Sequence, residues 1–257
     1  DITKPEYSMN VNYICTRDYS SAIAGDVSPE GLCVANVDGK PILLVAYEVS
    51  GTLTAYELTK KEADDIIVLY TNDVHNAYQK AEGCLGYASV AQYKKQLESL
   101  GYQVQLVDNG DAIQGGIIGT VSKGSYIKDI MSETGYTIAI PGNHEFDFQM
   151  ETFLQLAKDA KANGGYEYIS CNFVDKRTGK TVFDPYKIVN YGDKKVAYIG
   201  VSTPETFTKS TPAYFQDENG TFIYDFSEGN KGADLYKRVQ ETIDAAKAEG
   251  ADYIVAM

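Results

Sequence analysis

The chain has no tryptophan and only two histidines, His75 and His144. No apolar run approaches the length of a membrane helix, so no membrane-spanning segment is expected. Basic residues are scarce: 23 Lys and Arg face 36 Asp and Glu, for a net charge of −13. Such a surface repels a phosphate backbone, which argues against nucleic acid as a partner. Small anions stay admissible, because a bound dication inverts the field locally. The four cysteines, Cys15, Cys33, Cys84 and Cys171, form no C-x-x-C pair and no zinc spacing. They read as small buried thiols. Cys15 with Cys33 is the one pairing to check, since both fall in one β-rich stretch. No signal peptide opens the chain. Its first residues read like an excised interior, so the chain is taken as a fragment of something longer.

What is present suffices for a core. The 257 residues are 44% apolar and 12% aromatic, with 21 tyrosines. That allows one large domain, or one domain and a smaller piece. Residues 1–58 read as β, with a hairpin signal at Asp38-Gly39-Lys40-Pro41. Residues 59–65 are charged, lack apolar periodicity and mark a linker. From residue 66 to 257 strand-like and helix-like stretches alternate, the pattern of a layered α/β domain. Strands are expected at 66–70, 103–107, 137–140, 168–172 and 251–257. An antiparallel hairpin is expected from 187–190 and 196–201. Helices are expected at 87–100, 125–131, 150–162 and 233–248. The first should face inward through Val90, Tyr93, Leu97 and Leu100; the last through Leu235, Val239, Ile243 and Ala246.

Three polar clusters sit where apolar runs stop, and they hold both histidines. Strand ends are where α/β folds place ligands. Asp73-Val74-His75 follows the first run. In extended backbone, alternate side chains share one side and reach one ion; the plain alternative is an Asx-type turn with a surface histidine. Gly110-Asp111 follows the second run and is ordinary turn chemistry by itself. Gly115, Gly116 and Gly119 are not a P-loop, since no Gly-Lys-Ser/Thr follows, and read as room for a turn. Gly142-Asn143-His144-Glu145 follows the third run. Asn143 offers a neutral oxygen, and His144 can donate to a developing anion. Asp147 is spaced to hold one ring nitrogen of His144. The plain alternative is a turn capped by Asn143 with His144 half buried. Together these hard and borderline donors point to a divalent metal and a metal-assisted hydrolase.

The runs Thr71-Asn72-Asp73-Val74-His75, Asp108-Asn109-Gly110-Asp111 and Pro141-Gly142-Asn143-His144-Glu145-Phe146-Asp147 resemble the calcineurin-like metallophosphatases, and among them the 5′-nucleotidase family. Ser170-Cys171-Asn172-Phe173 fits the same family. The resemblance implies an α/β fold, a four-layer α/β/β/α metallophosphatase sandwich. It implies two divalent ions (Mn, Zn, Mg or Ca) and hydrolysis of nucleoside 5′-monophosphates by hydroxide attack. Asp73 and His75 would hold the first ion, Asp111 would bridge, and Asn143 would hold the second. His144 would stabilise the phosphoryl transition state without ligating, with Asp147 orienting it. Asn76 stands where the family often has glycine and is expected behind the ligands.

The family also uses histidines from later motifs and a nucleoside-binding C-terminal domain. This chain's two histidines are already assigned, so sandwich and metal centre are expected to be incomplete and the fragment nearly inactive. A 2′,3′-cyclic-nucleotide phosphodiesterase, a nucleotide-sugar hydrolase and a non-catalytic surface-binding module stay open as alternatives. Residues 1–58 resemble the end of a choice-of-anchor, propeller-type domain of bacterial surface proteins; an ordinary β-rich extension is the alternative. That resemblance implies a bacterial, extracellular or cell-surface setting and self-association through the N-terminal β segment.

Overall fold

Alternation along the strands of residues 66–257 sorts their side chains into two cores. The computed structural model describes residues 7–15, 29–37, 40–47, 52–60, 65–81, 84–162 and 164–257. Contacts divide the chain into two units, Asp1–Asp65 and Ile66–Met257.

The first unit has four strands, β1 (Tyr7–Cys15), β2 (Pro29–Val37), β3 (Lys40–Tyr47) and β4 (Thr52–Lys60). They form one antiparallel sheet in the order β1-β4-β3-β2. Val37 pairs with Lys40, which closes the expected hairpin, although Asp38 and Gly39 lie outside the described residues. Thr59 and Lys60, expected in the linker, pair with Ser8 and Tyr7, because β1 supplies them with partners. The Cys15–Cys33 pairing is corrected by the strand order. β1 and β2 are opposite edges of the sheet with two strands between them. At the usual strand spacing that separates them by about 14 Å, twice the roughly 7 Å a disulfide tolerates between Cα atoms.

The second unit runs β5 (Ile66–Thr71), α1 (Tyr87–Ser99), β6 (Gln103–Asp108), α2 (Gly116–Ser122), α3 (Ser125–Thr134), β7 (Ile138–Ala139), α4 (Met150–Ala162) and β8 (Glu167–Tyr168). There follow β9 (Val174–Asp175), β10 (Lys180–Thr181), β11 (Tyr186–Tyr191), β12 (Lys194–Ile199), α5 (Thr206–Lys209), β13 (Tyr224–Asp225), α6 (Ala233–Ala248) and β14 (Tyr253–Ala256). Strands β5-β6-β7-β8 pair in parallel. A second sheet has the order β11-β12-β14, antiparallel then parallel. A small antiparallel sheet has the order β10-β9-β13.

Leu106, Ala139 and Tyr168 pack with Met131, Phe153 and Leu156 of the helices. Their neighbours Val107, Ile138 and Ile169 point the other way, onto Tyr191, Val196 and Tyr198 of the second sheet. This is the period of two that a pleated strand imposes. Helix α6 packs on β11 and β12 and buries Thr242 and Ala246. The unit is therefore a layered α/β/β/α sandwich.

Three expectations are corrected. In α1 the inward stripe is Tyr87, Val90 and Leu97, which leaves Tyr93 and Leu100 on its flanks and exposed. The strand expected over 168–172 stops at Tyr168. Beyond it Ser170 N–H reaches Asp184 and Cys171 N–H reaches Gly200, so the segment leaves the first sheet. The stretch from Gly116, expected as a turn, is helix α2.

Candidate metal centre

The loops after β5 and β6 are stitched together beyond the end of the sheet. Asn109 N–H donates to Thr71 (2.8 Å), Asp73 N–H to Gly110 (3.1 Å), His75 N–H to Asp111 (2.9 Å) and Asn76 N–H to Ala112 (3.1 Å), all on backbone carbonyls. Within this ladder the backbone is left-handed at Asp73 (φ 54°), His75 (φ 46°), Asn76 (φ 62°) and Asp111 (φ 59°). The extended Asp-x-His segment expected from the sequence is thus not what forms. Left-handed non-glycine residues cost free energy and persist where the surroundings over-determine them, often at functional sites. The geometry still brings Asp73 Oδ1 to 3.7 Å from His75 Nε2. Asn72 donates to the other Asp73 oxygen.

Nitrogens of His75 and His144 and an oxygen of Asp111 all lie within 4.8 Å of one another. The two imidazoles meet edge to face with centroids 5.0 Å apart. Nδ1 of His75 is 3.2 Å from Gln114 Oε1, which fixes the ring from behind. His144 N–H donates to Asp111 Oδ1 at 2.7 Å. Burial pushes the Asp111 carboxyl up, and the Asp73 charge adds to this, against the His144 N–H and both imidazoles.

The turn after β7 is built differently. Asn143 is buried at its start, with ordinary helical backbone (φ −77°), and His144–Phe146 make one 3-10 turn. That turn brings His144 Nδ1 to 2.8 Å from Asp147 Oδ2. Burial lowers the His144 pKa, but the Asp147 hydrogen bond and the charges of Asp147, Asp111 and Glu145 outweigh it, so the net shift is upward.

Glu145 carries no sign of a role of its own at the level of sequence. In the fold it is fully buried, and its carboxylate accepts N–H groups of Gly142 (2.7 Å), Asp111 (2.8 Å) and Ala112 (3.0 Å). Burial and the Asp111 charge push its pKa up to about 7, against those three donors. It binds the second cluster to the third. Two glycines permit this approach. A Cβ on Gly142 would strike the Asp111 carboxylate, and one on Gly110 would lie 2.6 Å from Gly142 N.

Asn76 is buried behind His75, and its amide donates to the Gly115 carbonyl at 2.7 Å. A Cβ on Gly116 would collide with this amide, and one on Gly119 would collide with the Ile113 carbonyl and crowd the amide. The glycines that suggested a turn therefore make room for Asn76 beneath α2.

Two imidazole nitrogens and a carboxylate oxygen are a borderline donor set that fits a divalent transition-metal ion. Asp73 stands beside His75 outside the group of three, and Asn143 directly precedes His144.

The strand-end site on an α/β/β/α sandwich defines a class, and the sequence comparisons agree with it. Residues 66–257 match the calcineurin-like phosphoesterases, and the chain belongs to that family. Within it, the curated relatives that the chain resembles include proteins named UshA and 5′-nucleotidase. The chain is 32% identical to Protein UshA of Escherichia coli (strain K12) over 218 residues, covering 80% of this chain and 36% of that protein. It is 32% identical to a 5′-nucleotidase of Vibrio cholerae over 160 residues, covering 58% of this chain and 27% of that one. The chain therefore spans about a third of the length of such relatives. Among solved structures, a 5′-nucleotidase precursor from Thermus thermophilus superposes with a TM-score of 0.59 at 24% identity, over 74% of this chain and 36% of that one. These matches lend no support to a propeller tail in residues 1–58.

Proposed function

We propose that this chain carries the metal-binding half of an enzyme that hydrolyses nucleoside 5′-monophosphates to nucleoside and phosphate. The observation that carries the reading is the convergence of His75, Asp111 and His144 at the ends of three adjacent parallel strands. Its likeness to proteins named 5′-nucleotidase supports the substrate class. Asp73, His75, Asp111 and Asn143 would hold the two divalent ions, which when bound supply an activated water and polarise the phosphoryl oxygens. Asp147 keeps His144 oriented and biased toward its protonated form, with one ring nitrogen left to donate to a phosphoryl oxygen as charge develops there. Asn76 and Gln114 hold the first loop in place. With His144 kept for the phosphoryl oxygen, Asp73, His75, Asp111 and Asn143 are fewer donors than two ions need, so the 257-residue chain alone should turn over little substrate. The acidic surface suits an extracellular or cell-surface setting.

The test is phosphate release by the full-length protein with added Mn²⁺, on AMP, 2′,3′-cyclic AMP and UDP-glucose in parallel. AMP should be turned over fastest, and Asp111→Ala should abolish release. Unchanged turnover in that variant refutes the bridging role. Preference for either other substrate refutes the nucleotidase reading.

A further inference from the structure

Asp108 ends β6 and is almost fully buried, outside the group of donors that can hold an ion. Its register partner across the sheet is Thr71, the last residue of β5. The Thr71 hydroxyl donates to Asp108 Oδ2 at 2.5 Å. Asp108 Oδ1 accepts the Gly110 N–H at 2.9 Å. Thr71 Oγ1 also lies 2.9 Å from the Tyr136 hydroxyl, which can donate to it, so Tyr136, Thr71 and Asp108 form a chain of three. Tyr136 leads into β7 and is packed edge-on against Tyr87.

These bonds fall where the metal-bearing loops leave the sheet. Thr71 immediately precedes the Asn72-Asp73 turn. Gly110 immediately precedes Asp111, and its carbonyl takes the Asp73 N–H at 3.1 Å. Both carboxylate oxygens of Asp108 are thus spent on the roots of two loops. Stability does not explain a carboxylate here. Burying one costs more than burying an amide or an aliphatic group of the same size, and burial pushes this carboxyl up to about 8, with the Glu145 charge adding and the Thr71 and Gly110 donors opposing.

We propose that Asp108 is a positioning residue for the metal centre: through Thr71 and Gly110 it sets the spacing between the Asp73–His75 loop and the Asp111 loop. The proposal rests on the metal-centre reading above. Residues behind metal ligands act in this way, and their loss typically weakens metal affinity about tenfold to a hundredfold.

The chain's scarcity of histidine makes the test clean. Only two imidazoles exist, both in the site, so their ring resonances in the metal-free chain report its geometry directly. The variants are Asp108→Asn, Thr71→Val, the two combined, and Tyr136→Phe. Calorimetry with Mn²⁺ gives affinity on the same samples. Asp108→Asn and Thr71→Val should each shift the His75 ring signals and weaken Mn²⁺ binding about tenfold or more. The double variant should do little further, because both remove one linkage; Tyr136→Phe should act in the same direction and less. Val196→Ala, a core substitution in the second sheet, should lower the melting temperature and leave both imidazoles unmoved.

Folded Asp108→Asn or Thr71→Val with unshifted imidazoles and unaltered Mn²⁺ affinity overturns the proposal. If Asp108→Asn does not fold, Thr71→Val decides alone. Asp111→Ala separates the two levels. If it abolishes Mn²⁺ binding while the Asp108 and Thr71 variants leave it intact, only the positioning role falls. If it leaves Mn²⁺ binding intact, or the unaltered chain binds none, the metal-centre reading falls and this proposal with it.

Discussion

The loops after β5 and β6 and the turn after β7 converge on one small volume by opposite means. The first two carry four left-handed non-glycine residues, Asp73, His75, Asn76 and Asp111. Each such residue costs about 1–3 kcal/mol against relaxed backbone. They are held by a ladder from one loop to the other, by Glu145 from below and by Asn76 against the root of α2. The turn after β7 keeps ordinary backbone from Asn143 to Asp147, and its one left-handed residue, Gln149 (φ 74°), comes only at the start of α4. Asn143 is in ordinary helical backbone, and the His144–Asp147 contact follows from a spacing of three residues in a tight turn. One half of the site exists only as an assembly; the other forms its His144–Asp147 contact locally and is joined to the first by the His144 N–H on Asp111 and by Glu145. Substitutions at the shared supports, including Glu145 although it sits in the turn, should therefore damage both halves, while a change confined to the His144–Asp147 contact should leave the assembly standing.

The largest effect belongs to Glu145. Glu145→Ala leaves two buried N–H groups and a half-buried one without their acceptor, at about 1–3 kcal/mol for each buried group, so destabilisation of at least ~2 kcal/mol is expected. Urea unfolding measures this, and Mn²⁺ binding should be lost in the same variant. A melting curve like that of the unaltered chain would show that the two halves are not coupled through this carboxylate.

Next comes Gly115, with φ 111° and a Cβ position against the His75 carbonyl. Gly164 is also left-handed (φ 71°) but has nothing within 4 Å of its Cβ position. Gly164→Ala should cost only the backbone term, about 1–2 kcal/mol. Gly115→Ala should cost that and the collision, and should displace the His75 ring signals, which Gly164→Ala should not. Equal costs for the two alanines would mean that crowding under the first loop is not what holds it.

Legibility in the sequence follows the same division. Helices at 150–162 and 233–248 form residue for residue where apolar spacing placed them, because local periodicity decides such elements. The hairpin expected from 187–190 and 196–201 forms as β11 and β12, and the three strand-end clusters were readable from the polar residues that interrupt apolar runs. The sign of φ at Asp73, His75, Asn76 and Asp111 was not readable. Asp, His and Asn populate both hands, and the choice is made by carbonyls tens of residues away. Glu145 sat inside a recognisable motif, yet nothing local told that its carboxylate turns inward to three N–H groups. Gly115 and Gly116 suggested a turn because their crowding partners, the His75 carbonyl and the Asn76 amide, are distant in sequence.

The smallest expected change in stability is at Asp147, and it isolates the local half. With Asp147 beside it, His144 titrates above its ordinary value, so the folded chain holds that proton more tightly than the unfolded chain. The pair's contribution is fully present below the unfolded value of about 6.5 and fades as pH rises through the raised folded value. Asp147→Asn should lower the His144 pKa, read directly from its ring resonances across a pH titration. It should flatten the fall in stability over that window and leave the His75 signals in place. A His144 titration unmoved by the substitution would mean that burial and the Asp111 and Glu145 charges set its protonation without help from the turn. A shift at His75 of equal size would mean that the turn after β7 is as dependent on its neighbours as the two loops it faces.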